Sequence, residues 1–211
     1  MGLSEEALFE EALIKKCQAG DASAFEKIVG LYQQKIYNIA YRMTGNYHDA
    51  SDAAQEVFIR IFRSIKTFRG DCSFSTWAFR IAANVCKDLL RNRGRFSEEP
   101  LNEEASDESR RTLIDQDDEG NDPETVYENK ELGEYLQSLI DKLPPECRLV
   151  ILLREQAGFS YREISDILCV SLGTIKSRIC RARRVLQEKI IKDMQPFPEI
   201  LRLIDERRRE D

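Results

Sequence analysis

Histidine occurs once in this 211-residue chain, at position 48, and no two of its six cysteines are spaced C-x-x-C. Zinc ligation and a disulfide framework are therefore not expected. Cysteines 17, 72, 86, 147, 169 and 180 read as small buried hydrophobes of a reducing compartment. Long apolar runs are missing as well. The longest, Leu149 to Leu153, falls far short of the roughly 20 residues that cross a bilayer, so no membrane insertion is expected. Met1 to Glu6 is acidic where a secretory signal is basic, and Glu6 stands where a myristoylation signal needs Ser or Thr. The expected location is the cytoplasm. Ten glycines and six prolines without a period exclude collagen-like and low-complexity classes.

What remains is ordinary globular composition, 42% hydrophobic and 33% charged, at a length that allows one large core or two small ones. A net charge of −6 argues at first against nucleic acid. The charge is unevenly placed, however. Residues 97–129 hold thirteen acids against Arg110 and Arg111, a charge of −11, which leaves +5 for the rest of the chain. Poor in large apolar residues, this stretch cannot bury enough surface to offset its ordering entropy. Residues 97–128 therefore read as a disordered acidic linker. It is either a plain solvating spacer or an anionic mimic of nucleic acid.

On both sides of the linker the periodicity is helical, which predicts an all-α chain of two small domains, 1–96 and 129–192, with a tail at 193–211. From Phe25 the apolar positions Ile28, Val29, Tyr32, Ile36, Ile39, Ala40 and Met43 form one stripe that ends at Gly45-Asn46. A second helix is expected from about Asp49 to Lys66. Its outer face carries Asp52, Glu56, Arg60 and Arg63, by itself an ordinary solvated surface. A third is expected from Ser75 or Thr76 to about Asn92. At 100° per residue Arg80, Asn84, Lys87 and Arg91 share its outer face, with Trp77 at the margin. Phe68 and Phe74 lie just ahead of it. Cations for phosphates beside flat apolar faces for splayed bases suit an unpaired strand. Core aromatics beside a solvated basic face fit the same residues, and the pattern alone leaves both readings open.

In the second half, Pro144-Pro145 and Gly158 break the pattern into four short helices. Ser160-Tyr161-Arg162-Glu163 is a capping box, followed by a short helix, a turn at Cys169-Val170-Ser171, and a helix from Gly173 to about Lys189. Two helices joined by so short a turn are a helix-turn-helix. In its second helix Ile175, Ile179 and Leu186 supply the core stripe. Lys176, Ser177, Arg178, Arg181, Arg183 and Arg184 fill the rest, and no acid occurs from Ser171 to Arg184. A solvated helix face normally mixes signs, so a recognition helix for the major groove is the better account.

Taken in order, these segments resemble a known family. Asp49-Ala50-Ser51-Asp52-Ala53-Ala54-Gln55-Glu56-Val57-Phe58, Phe68-Arg69-Gly70-Asp71 and Phe74-Ser75-Thr76-Trp77-Ala78-Phe79-Arg80-Ile81-Ala82-Ala83-Asn84 resemble the second conserved region of extracytoplasmic-function sigma factors. Leu143-Pro144-Pro145-Glu146, Phe159-Ser160-Tyr161-Arg162-Glu163-Ile164 and Gly173-Thr174-Ile175-Lys176-Ser177-Arg178-Ile179 with Arg181-Ala182-Arg183 resemble the fourth. The match runs from about residue 8 to 190. It implies a transcription initiation factor, not an enzyme by itself, with no catalytic residues, metal or cofactor.

The resemblance also implies roles. Asp49, Asp52, Gln55, Glu56 and Arg60 would dock on the clamp helices of the polymerase beta-prime subunit, and the beta flap would be a second contact. Residues 66–73, with Phe68 and Arg69, would cradle a base flipped from the non-template strand of the minus-ten element. Trp77, Arg80, Asn84, Lys87 and Arg91 would support that strand. Thr174, Lys176, Ser177, Arg178, Cys180, Arg181 and Arg184 would face the minus-thirty-five element. The linker would thread the RNA path of the polymerase, and an anti-sigma protein is an expected further partner. Cys169 stands where such turns often have glycine, Ser165 where alanine is usual, and Cys180 leaves the base preference open. A repressor or activator working without polymerase would leave the surface around Trp77 idle. A metal-dependent hydrolase using the acidic cluster would lack a core to fix its carboxylates.

Overall fold

The computed structural model describes residues 5–96 and 123–193, with side chains over 8–91 and 132–192. Residues 97–122 and the tail from 194 lie outside the described residues, and with them most of the expected linker. The described residues form helices and no strand. The front module comprises α1 (Glu5–Gln18), α2 (Ala22–Thr44), α3 (Tyr47–Ser64), a 3-10 turn (Ile65–Thr67) and α4 (Phe74–Phe96). The rear module comprises α5 (Pro123–Asp141), α6 (Pro145–Ile151) with a π turn (Leu152–Gln156), α7 (Tyr161–Leu168) and α8 (Leu172–Asp193).

Local chemistry sets the ends of these helices. Asp21 caps α2 by accepting from Ser23 N (2.9 Å) and Ala24 N (3.2 Å). Its carboxyl is held below the usual range, first by the Ser23 hydroxyl and then by the Ala24 N–H. Gly45 ends α2 at φ 68°, its N–H donating to Tyr41 O at 2.7 Å, a left-handed geometry that glycine enters at little steric cost. Asn46 then caps α3 through Asp49 N at 3.1 Å. Most of the apolar stripes are buried: Ile28, Ile36, Ile39 and Met43 on α2, Ala50, Ala53, Val57 and Ile61 on α3, Ala78, Ala82 and Val85 on α4. Ala54, Phe58, Ile81 and Leu89, also expected there, are half-buried, and Phe62, expected in the α3 stripe, is exposed instead. α1 adds Leu13, Ile14 and Cys17. Its stripe was not legible in the sequence, because exposed Leu8 and Phe9 blur it.

In the rear module Pro145 opens α6, where a missing N–H costs nothing. The capping box at Ser160 and Glu163 forms as the sequence indicates. α8 packs Ile175, Ile179 and Ala182 inward. Two boundaries move. α5 begins at Pro123, inside the stretch read as linker; proline at the first turn followed by Glu124 favours a helix N-terminus. α8 runs on to Asp193 rather than stopping near Lys189.

A flexible tether suggests independent modules, yet the two are packed together. Phe79 of α4 and Phe159 before α7 meet edge to face at 4.9 Å, and both are buried. Arg148 donates to Met43 O at 3.0 Å, to the Asp141 carbonyl, and pairs with the Asp141 carboxylate at 3.3 Å. It thereby closes the C-terminal carbonyl end of α2. Burial pulls its guanidinium pKa down, opposed by the Asp141 charge. Arg42 and Gln137 add a second polar contact at 2.9 Å. The amphipathic stripes of α4 and α6 thus bury a second flank that a one-stripe reading does not anticipate.

Candidate functional site

The expected strand-binding face is built by the start of α4 and the loop ahead of it. Ser73 Oγ accepts from Thr76 N at 3.1 Å and caps the helix, two or three residues ahead of the expected Ser75 or Thr76. Phe74, expected beside the basic track, is instead buried at the head of α4 against Tyr32 (5.5 Å). It is a base plate and offers no free face for stacking. Upon it rest half-buried Phe68 (5.6 Å) and Trp77 (5.5 Å), which meet each other at 5.2 Å. Beneath, the Tyr32 phenol donates to Glu10, and burial and that carboxylate raise its pKa. An aromatic stack of this kind keeps its outer rings in fixed orientation. Lys66, Arg69, Gly70 and Asp71 of the loop are exposed around it.

Along α4, Asn84, Lys87 and Arg91 are exposed on the expected side. Arg91 shares Asp88 with Arg60, at 3.0 and 3.8 Å. Asn84 lines a shallow hollow with Arg60, Arg63, Ser64 and Ile81 between α3 and α4. The two residue sets that the resemblance separates, strand-facing and polymerase-facing, therefore meet at this groove. Arg80 is placed differently: its Nε donates to Asp166 O of α7 at 3.0 Å, so in this arrangement it is engaged by the rear module.

On α3, Asp52 and Gln55 are exposed, while Asp49, Glu56 and Arg60 are half-buried, the last two paired at 2.7 Å. Between them lies an apolar element open to solvent. Ile59 and Phe62 are exposed, 36% and 57%, and Phe62 packs on Phe25 at 5.0 Å with its other face open. With Gln55, Phe58 and Arg63 they line a hollow on the outer side of α3. Helical spacing puts Phe62 in the expected core stripe, and the structure turns it outward; the signal available was an apolar arc too wide for one buried stripe.

On α8, Lys176, Ser177, Cys180, Arg181 and Arg184 are exposed on one arc, opposite Ile175, Ile179 and Ala182. Lys176 and Arg181 have no acidic partner among the described residues. Arg184 faces Glu188 at 3.9 Å. Thr174 is tied to Ser171 at 2.8 Å, and Thr174 N donates to Ser171 Oγ at 3.2 Å, which caps the helix. Arg178 stands apart, half-buried and paired with Glu146 of α6. The turn explains the two unusual residues ahead of α8. Cys169 takes the left-handed conformation, φ 53° and ψ 44°, where glycine is preferred, and the Ser165 hydroxyl donates to Val170 O at 2.6 Å. Three cysteines are buried as expected, Cys17, Cys86 and Cys147; Cys72 is half-buried, and Cys169 and Cys180 are exposed. Burial pushes the Cys86 thiol up to about 12, leaving it inert.

A helical module with an aromatic loop and basic track, packed against a helix-turn-helix whose second helix carries no acid from Ser171 to Arg184, is the architecture of a two-module DNA-binding protein. Comparison with known proteins names the family. The family model described as sigma-70 region 2 matches residues 28–96, and that of sigma-70, region 4, matches residues 133–186. The ECF RNA polymerase sigma-E factor of Haemophilus influenzae is 37% identical over 88% of this chain and 97% of that protein. The ECF RNA polymerase sigma factor SigE of Mycolicibacterium smegmatis is 38% identical over 82% of this chain, which spans 65% of that relative's length. The structure of CnrH in complex with the cytosolic domain of CnrY has the same fold, with TM-score 0.64 at 23% identity, covering 88% of this chain and 99% of that one. The chain belongs to the ECF family of RNA polymerase sigma factors.

Proposed function

We propose that the chain binds core RNA polymerase, reads the minus-ten and minus-thirty-five promoter elements and starts strand separation, with a separate surface for each task. The observation that carries this division is the contrast between the aromatic stack at Phe68 and Trp77 and the exposed basic arc of α8, which carries no acid from Ser171 to Arg184. The loop Phe68 to Ser73 receives a flipped base of the non-template strand, Trp77 supports its neighbour, and Arg69, Lys87 and Arg91 meet phosphates. Lys176, Ser177, Cys180, Arg181 and Arg184 face the major groove. Arg178 acts through Glu146 to fix α8 on α6. Asp52, Gln55 and Glu56 dock on the polymerase clamp, with Ile59 and Phe62 as apolar anchors.

Magnitudes require the partner. Opening DNA costs about 1.4 kcal/mol per stacked step, and stacking a base on an aromatic returns about 1–3 kcal/mol. One or two captured bases start a bubble but do not hold one of a dozen. Geometry requires it too. Elements named for positions minus ten and minus thirty-five lie roughly 85 Å apart at 3.4 Å per base pair, whereas packed modules of this size each have a radius of gyration near 13 Å. The contact that seats Phe159 on Phe79 and engages Arg80 must open before both elements are read together. Polymerase, holding both modules, supplies the work. The family also makes an anti-sigma partner and a cytoplasmic site of action the natural expectations; among the described residues no helix is long and apolar enough to cross a membrane.

The test is run-off transcription with core enzyme. RNA from mapped start sites should depend on this chain, and Phe62→Ala should weaken core binding roughly thirtyfold, as removal of an interface anchor worth about 2 kcal/mol does. Energy transfer between dyes at exposed Lys35 and Glu188 should fall when core enzyme is added. Tight, specific promoter binding by the free chain at physiological salt would contradict the reading.

A further inference from the structure

The loop read above as the base receptor has little packing of its own. Lys66, Thr67, Arg69, Gly70, Asp71 and Ser73 are exposed, and Gly70 has φ 79°. A receptor made of such a segment is selective only if both ends are fixed. Its far end is fixed by α4 itself, through Ser73 Oγ to Thr76 N and Trp77 N to Ser73 O, both 3.1 Å. Its near end is fixed from α1. The side-chain amide of Gln18 donates to Phe68 O at 2.8 Å and to Ile65 O at 3.1 Å. Ile65 O also accepts from Phe68 N at 3.1 Å. One NH2 group thus staples both sides of the 3-10 turn just where the chain leaves it. Both partners are carbonyl oxygens, so only the nitrogen side of the amide can face them.

The remainder of α1 serves to hold this amide in place. Leu13, Ile14 and Cys17 bury one side of the helix, and the chain turns away at Gly20 only after Gln18 has reached the loop. Phe68, whose carbonyl is held, carries the ring that lies on Phe74 and Trp77. Gln18 lies ahead of residues 28–96, the span matched as region 2, and none of the motifs read from the sequence includes it. We infer that Gln18 is a positioning residue for base selection: by clamping Ile65 and Phe68 it sets the mouth of the receptor loop, so that α1 acts in minus-ten discrimination without touching DNA. The inference rests on the reading of residues 66–73 as the receptor.

The experiment uses the full chain with core polymerase and single-stranded oligonucleotides carrying the minus-ten element mapped from its own transcripts, in native form and with each other base at each position. Gln18→Glu keeps the shape and sets a carboxylate against two carbonyls; Gln18→Met keeps the length and removes the donors. Both should lower the preference for the native base roughly tenfold, the worth of two ordinary hydrogen bonds, with core affinity and minus-thirty-five duplex affinity within about twofold of the parent. Gln18→Lys, which restores donors, should recover most of the preference. Unchanged preference in Gln18→Met, or a loss that parallels a loss of core affinity, would overturn the inference and leave Gln18 as a packing residue. Arg69→Ala is run alongside. If it does not weaken binding of the native oligonucleotide, the receptor reading itself fails; if it does and the Gln18 variants retain selectivity, only the role of Gln18 fails.

Discussion

The two surfaces proposed to face DNA are built in opposite ways. The arc on α8 needs only one helix: spacing of four residues puts Lys176, Cys180 and Arg184 in a row, and the core residues opposite fix the helix. The front surface is assembled from distant parts of the chain. Trp77 and Phe68 rest on Phe74, Phe74 on Tyr32, and the loop is tied to Gln18 of the first helix. A reader of intact duplex meets a regular partner and can itself be regular. A receptor for a flipped base needs a concave, rigid seat, which only tertiary packing supplies. The front surface should therefore be vulnerable to substitutions that never touch DNA, and the rear one chiefly to substitutions that do.

The largest expected effect breaks the front surface from beneath. Phe74→Ala should cost the front module about 3–5 kcal/mol of stability and abolish minus-ten strand capture by holoenzyme, while minus-thirty-five duplex binding persists; denaturant unfolding and strand binding read the two. Next come the contact residues. Trp77→Ala should cost about 1–3 kcal/mol of strand affinity with little change in its salt dependence. Arg181→Ala should cost about 1–3 kcal/mol for duplex if it reads a base, and should flatten the plot of log affinity against log salt by about one unit if it meets a phosphate. The smallest effect is at the turn. Cys169→Gly should relieve the left-handed backbone and raise stability by about 0.5–1 kcal/mol, with the promoter preference unaltered. A loss of stability there would mean that the thiol contributes packing beyond its weak contact with Asp166 O.

This difference in construction also governs what was legible in the residues. The stripes of α2, α3 and α4, the capping box at Ser160 and the turn at Cys169 depend on neighbours three or four apart, and they stand where periodicity places them. The outer residues of α8 are legible for the same reason. Phe74 is not, because only the fold decides whether an aromatic beside a basic track is seat or floor. Gln18 has two acceptors 47 and 50 residues away, which no local pattern encodes. Phe62 and Phe79 share a helical apolar spacing, yet one is open and the other sealed by Phe159. The partners of Arg80 and Arg178, Asp166 O and Glu146, come from other helices, so neither contact was legible from local spacing.

The most direct measurement compares Trp77→Ala and Arg181→Ala in holoenzyme on one promoter, with duplex footprinting before opening and permanganate reactivity of unpaired thymines after it. Separate tasks require that Trp77→Ala form the closed complex at near-parental affinity and open it at least tenfold less, and that Arg181→Ala lose the closed complex but open normally whatever it binds. Equal losses at both steps in both variants would contradict the division of labour.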